Sequence, residues 1–275
     1  MMKIILASGS PRRLQLLQQM GWTVEVHSLP FAEAETVHEA TEKLEGLRKQ
    51  FLLSCGREKT KNVSFHSEKK NETVGSILSE KDLTLLSPYR DADLVCAYNA
   101  LGKGREAAKE TGTGFPVVAA DTIVVLGEQI LGKPADAAEA KHMLELLSGK
   151  AHAVKTAAVV LYQKKTLLQV VTTHVHFRRL TEEEMNWYVG TGEPLDKAGA
   201  YGIQGKGAVL VERIEGCYNN VVGLPVTAVY EMLRKAGVDP IILKNVTCTR
   251  CLRMPYFSQT DHDNVAISDF QKPFL

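Results

Sequence analysis

The chain has 275 residues, 44% of them hydrophobic, enough for one large or two small domains around a substantial core. Its formal net charge of +1 supplies no broad basic field for duplex nucleic acid or an anionic membrane, so any polyanion it binds is expected to be small. No apolar run approaches the roughly 18 residues of a membrane span, Ile4–Ala7 is too short for a secretory signal, and five scattered cysteines point to reduced thiols in a cytoplasmic protein.

The chain opens with a strand at about 3–7 that runs directly into Ser8-Gly9-Ser10-Pro11-Arg12-Arg13. Ser10 reads as an N-cap and Pro11 as the first residue of a helix reaching to about residue 20. A helix N-terminus with two guanidinium forks in its first turn is suited to phosphate oxygens, which makes Ser8, Ser10, Arg12 and Arg13 candidate anion ligands. A second strand follows at Thr23–Ser28, and the order of elements predicts an α/β fold. From about 42 to 95 the composition turns polar, which is read as a solvated insertion contributing little to the core. A helical pattern returns over 91–109, and Phe115–Leu126 reads as a long buried strand whose one charge is Asp121.

Leu131-Gly132-Lys133-Pro134 leads to a helix capped by Asp136 and ending near Gly149. Residues 151–163 and 166–179 read as a hairpin turning at Lys164-Lys165, and Thr181 with Glu184 as a capping box. A glycine-rich stretch, Gly192–Gly207, precedes a strand at Ala208–Ile214 and a last helix at about 225–236. After Pro240 periodicity is lost, so 241–275 is read as an irregular tail.

An unpaired carboxylate costs several kcal/mol to bury, so Asp121 must be paired, metal-bound, protonated or at an open strand end. Lys103 and Lys133 flank its strand in sequence, and Glu33 is a further hard oxygen donor, a set suited to metal-assisted triphosphate chemistry. The chain carries neither a P-loop nor a strand–GxGxxG–helix unit, because Gly102-Lys103-Gly104-Arg105 lacks the first glycine and the Ser/Thr. His174 and His176 share a strand face without an evident third ligand, and Cys248-Thr-Arg-Cys251 lacks the second pair of a zinc site.

Five segments, Leu6-Ala-Ser-Gly-Ser-Pro-Arg-Arg13, Ala119-Ala-Asp-Thr122, Leu131-Gly-Lys-Pro134, Leu147-Ser-Gly-Lys150 and Glu193-Pro-Leu-Asp-Lys-Ala-Gly-Ala-Tyr-Gly-Ile-Gln-Gly205, together resemble the Maf family of nucleoside triphosphate pyrophosphatases. The resemblance covers residues 3–41 and about 96–237. It implies one Maf-like domain over 1–240, interrupted by the polar insertion at about 42–95, with the tail at 241–275 outside it. The implied fold is a two-lobed α/β structure with a long mixed twisted sheet and a central cleft, similar in shape to inosine-triphosphate pyrophosphatases and commonly a homodimer. The implied activity is hydrolysis of a nucleoside triphosphate to monophosphate and pyrophosphate with Mg²⁺ or Mn²⁺.

Carried over by position, the resemblance implies Asp121 as catalytic carboxylate, Glu33 and Asp121 as metal ligands, and Lys103 as a catalytic lysine. Glu35 is an alternative to Glu33, because the family's acidic pair is split here. Ser8, Arg12, Arg13, Thr122, Lys133 and Gln204 are implied for substrate binding. The combination of Arg13, Thr122, Lys133 and Gln204 resembles the branch preferring dTTP and UTP over the branch taking 7-methyl-GTP. Two competing readings are a non-catalytic nucleotide sensor in growth or division control and a pyrophosphatase for non-canonical purine triphosphates.

Overall fold

The computed structural model describes residues 3–57, 78–112, 114–238 and 257–258. Strand β1 (Lys3–Leu6), helix α1 (Pro11–Gln19) and strand β2 (Thr23–Val26) open the fold, followed by helices α2 (Val37–Arg57), α3 (Glu80–Leu86) and α4 (Asp91–Thr111). Strands β3 (Val117–Leu126) and β4 (Gln129–Leu131) and helix α5 (Ala137–Leu147) lead into the hairpin β5 (Ala151–Tyr162) and β6 (Lys165–Phe177). Helix α6 (Glu182–Val189), three 3-10 turns between 193 and 210, β7 (Val211–Glu215), α7 (Tyr218–Val222), α8 (Val226–Ala236) and β8 (Phe257–Ser258) complete it.

The eight strands of the described residues form one mixed sheet, in the order β2-β1-β3-β5-β6-β7 with β4 on β3 and β8 on β6. The β1 pairs with β2 and β3 are parallel, and the pairs from β3 through β5 and β6 to β7 are antiparallel. This is the expected mixed α/β architecture.

β3 is buried on both faces, which explains its nearly unbroken apolar run. Because strand side chains alternate, Val117, Ala119, Ile123 and Val125 face the core formed with α2, α3 and α4. Val118 and Ala120 face the core under α1 and α8, while Val124 joins a third cluster with α5 and α6. Helix α4 lies close on β3 because residue 104 is glycine: a Cβ there would sit 3.2 Å from that of Ala119.

The polar stretch at about 42–95 is corrected in one respect. Leu44, Leu78, Leu83, Leu85, Leu86 and Tyr89 are buried in the α4 core, and Asp82, fully buried, pairs with Arg105 of α4 while capping α3 through Ser79. Few apolar residues per turn suffice when a helix buries only one stripe, and composition averaged over the stretch hides that stripe. Residues 58–77, the most lysine-rich part, lie outside the described residues, as does the Cys248/Cys251 pair. Of the tail, Phe257–Ser258 is described, paired with Leu168 and Leu167 of β6.

Smaller differences follow local chemistry. The β5–β6 turn falls at Gln163-Lys164, one residue earlier than expected, with Gln163 at φ 52°. Gly205–Leu210 forms a 3-10 turn, so β7 starts at Val211, and α7 is an element that the periodicity did not reveal.

Candidate active site

The site lies where the sheet is split along one edge of β3. Among the described residues, β1 pairs with β3 only at Val117 and Val118, and β4 joins β3 only from Val124, so residues 119–123 have a strand partner there, β5, on one edge alone. β1 is short because the chain turns out at Ala7–Ser10 into α1. Side chains from both faces of β3 therefore reach one opening, Asp121 from the α4 face and Thr122 from the α1 face.

On the α1 face, Arg13 makes three hydrogen bonds. It donates from Nε to the Gly223 carbonyl at 2.8 Å, from one terminal nitrogen to Ser8 Oγ at 2.9 Å and from the other to Thr122 Oγ1 at 3.1 Å. Thr122 is fixed in turn by Thr156 Oγ1 at 2.9 Å. Burial lowers the Arg13 pKa and the nearby Asp121 charge opposes that shift; a guanidinium remains charged in proteins because of its intrinsic basicity. Ser10 occupies the expected N-cap position before Pro11, but its side chain makes no capping bond. Ser8 Oγ instead accepts the Ser10 N–H at 3.3 Å. Arg12 reaches Asp196, 3.8 Å away, bringing the start of α1 towards the 193–196 turn.

On the α4 face, Asp121 is 7% exposed and paired, as its burial requires. Lys103 Nζ donates to Asp121 Oδ1 at 2.7 Å and lies 2.8 Å from Glu33 Oε2, so two carboxylates converge on one ammonium. Glu33, not Glu35, makes this approach; the Glu35 N–H donates to Glu39. Asn99, one helical turn before Lys103, donates to Asp121 Oδ2 at 3.3 Å and bonds both backbone groups of Ala34, at 2.8 and 2.9 Å. Sequence reasoning missed Asn99. Its signal was there as a polar residue at i−4 from Lys103 on an otherwise apolar helix face.

Lys133 and Gln204 are exposed. The Gly199 N–H donates to the Gly132 carbonyl at 2.9 Å, tying the Lys133 loop to the segment that carries Gln204. That segment is braced by Glu193, whose carboxylate accepts from Tyr188 Oη and from the Lys206 and Gly207 N–H groups at 3.0 to 3.2 Å.

Tyr201, in the same segment, is anchored by a 2.7 Å hydrogen bond to the buried His152. Burial, reinforced by His176 and His174, lowers the His152 pKa from 6.5 to about 4. The unfolded chain therefore takes up this proton first, and stability is lost as pH falls from about 6.5 to about 4. At ~1.36 kcal/mol per pKa unit the loss reaches about 3 kcal/mol. Denaturant titrations at pH 7 and pH 5 are expected to show a smaller acid loss for His152→Phe than for wild type; equal losses would exclude His152 as the source.

Among the described residues no three His, Cys, Asp or Glu side chains converge as an all-protein metal cage requires, and no helix is long and apolar enough to cross a membrane. The sheet opened along β3, with helices on both faces, defines a mixed α/β fold with its cleft at the strand gap. A family model described as Maf-like protein matches residues 3–236, and the chain belongs to that family. It is 38% identical over 239 residues to a dTTP/UTP pyrophosphatase of Bacillus cereus strain AH187, covering 87% of this chain and 98% of that protein. It is 45% identical over 187 residues to a dTTP/UTP pyrophosphatase of Bacillus cytotoxicus, covering 68% of this chain and 95% of that one. A Bacillus anthracis protein of the same name is 37% identical over 239 residues.

Proposed function

We propose that this chain is a nucleoside triphosphate pyrophosphatase that converts dTTP and UTP to their monophosphates and pyrophosphate. Family membership and the names of these relatives support the reaction class. The observation that carries the site is the pair of carboxylates, Glu33 and Asp121, meeting on one cationic nitrogen beside an arginine-bearing helix N-terminus. Two hard oxygen donors converging on a point fit Mg²⁺ or Mn²⁺, which binds through one or two carboxylates and completes its shell with water and substrate phosphate. Held by Glu33 and Asp121, such an ion would neutralise triphosphate charge and acidify a water.

In this reading Ser8, Ser10 and the first turn of α1 receive phosphate oxygens, and Arg12 and Arg13 balance their charge. Asp121 accepts the proton of the water that attacks the α-phosphorus in line. Lys103 moves from its bridge between the carboxylates towards the phosphates, and Lys133 meets the pyrophosphate charge as it grows. Thr122 holds Arg13 in register. Gln204 reads the base: a neutral amide both donates and accepts, matching the carbonyl and imino N–H of thymine or uracil. A homodimer is part of this proposal, as is a cytoplasmic setting, which the odd and scattered set of five cysteines supports.

The test is pyrophosphate release from dTTP, UTP, ATP, GTP and 7-methyl-GTP, each with Mg²⁺ and with Mn²⁺. The expected result is highest kcat/KM for dTTP and UTP, and a loss on dTTP for Gln204→Glu, because an ionised glutamate can only accept and leaves the imino N–H or carbonyl of the base mismatched. No release from any of the five would favour the sensor, and a preference for a purine would refute the base-reading role of Gln204.

A further inference from the structure

We infer that Asn99 is a positioning residue that fixes the spacing between Glu33 and Asp121 and thereby sets the affinity of the site for a divalent cation. The inference rests on the proposed sharing of one cation by those carboxylates. Glu33 lies in the segment between β2 and α2, which among the described residues has no strand ladder to hold its backbone, and such a segment must find its hydrogen bonds elsewhere. The Glu33 N–H donates to the Phe31 carbonyl, Lys43 donates to the Ala32 and Glu33 carbonyls, and Asn99 holds both backbone groups of the next residue, Ala34. Only 3% exposed, Asn99 accepts the Ala34 N–H and donates to the Ala34 carbonyl, as a neighbouring strand would. Its amide nitrogen also donates to Asp121 Oδ2, leaving Oδ1 to Lys103.

One side chain thus holds the backbone beside one carboxylate and an oxygen of the other. The orientation of its amide is forced, since the Ala34 N–H needs an oxygen and the Asp121 carboxylate needs a donor. The same helix face admits the loop: Gly102 leaves room for Phe31, whose Cζ lies 2.0 Å from where a Cβ on residue 102 would be, and Phe31 packs against Tyr98 with ring centroids 5.4 Å apart. Losing such an outer hydrogen-bond partner of metal-binding carboxylates typically costs about 10–100-fold in affinity.

The experiment measures Mn²⁺ binding to the full chain, without nucleotide, by electron paramagnetic resonance of the free ion. Asn99→Leu, similar in shape but unable to make any of the three bonds, is expected to weaken Mn²⁺ binding about 10–100-fold. Its kcat on dTTP is expected to recover at saturating Mn²⁺, with KM for dTTP then close to wild type. Should Asn99→Leu not fold, Asn99→Gln carries the same expectation, because its extra methylene pushes Ala34 away while keeping the amide. Wild-type Mn²⁺ affinity in the folded variant, or a loss of turnover that saturating metal leaves unrestored, would overturn the inference while leaving the shared cation standing. Absence of Mn²⁺ binding by the wild type, unchanged in Asp121→Asn, would remove the shared cation and this inference with it.

Discussion

Asp121→Asn is expected to yield a folded protein that releases pyrophosphate from dTTP roughly 10²–10⁴-fold more slowly, the usual scale for a lost general base. The amide keeps the shape of the carboxylate in a strand that is buried on both faces, so packing against Ala119, Ile123 and the α4 core persists. What disappears is the charge opposite Lys103, the basicity needed to take a proton, and half of the oxygen pair that suits a divalent ion. Thermal unfolding followed with the rate assay separates the effects. Near-wild-type turnover by a folded Asp121→Asn protein would remove Asp121 from the chemistry.

Arg13→Lys is expected to lower kcat/KM for dTTP roughly 10²-fold, although the positive charge is kept, because displacements of about 1 Å at a reacting centre cost on that order. Arg13 holds the Gly223 carbonyl, Ser8 and Thr122 at once from three nitrogens of a planar fork. A lysine ammonium, a single point on a flexible stem, cannot span all three positions, so at least one buried acceptor loses its donor. The expected signature is a raised KM together with a lower melting temperature. Wild-type kinetics in Arg13→Lys would mean that only the charge of Arg13 matters.

The order of elements was largely legible because most of them carry local signals. Asp136 caps α5 by accepting the Glu139 N–H, and Thr181 with Glu184 forms the reciprocal box that starts α6. Both patterns are complete within four residues. β3 was legible as a two-faced buried strand because apolar residues occupy both alternating sets. Helices α2 and α3 were not legible: Leu44, Leu83 and Leu86 are spaced among lysines and glutamates, and only the α4 core reveals that the stripe is buried.

By itself the sequence determined that Asp121 sits in a buried strand, that α1 begins at a serine and a proline followed by two arginines, and that the chain carries the motifs of the Maf-like family. These are properties of composition, spacing and short-range hydrogen bonding, which neighbouring residues settle among themselves. Only the tertiary structure decided that Lys103 stands between Asp121 and Glu33, that Glu33 rather than Glu35 faces the opening, and that Asn99 binds the Glu33 loop to Asp121. Each of these depends on the short β1 leaving β3 at Val118 and on a helix face packed over the exposed stretch of strand. The contacts of Asn99 with Ala34 and Asp121, and of Lys103 with Glu33 and Asp121, are fixed by the order of strands in the sheet, a long-range outcome that no local spacing encodes.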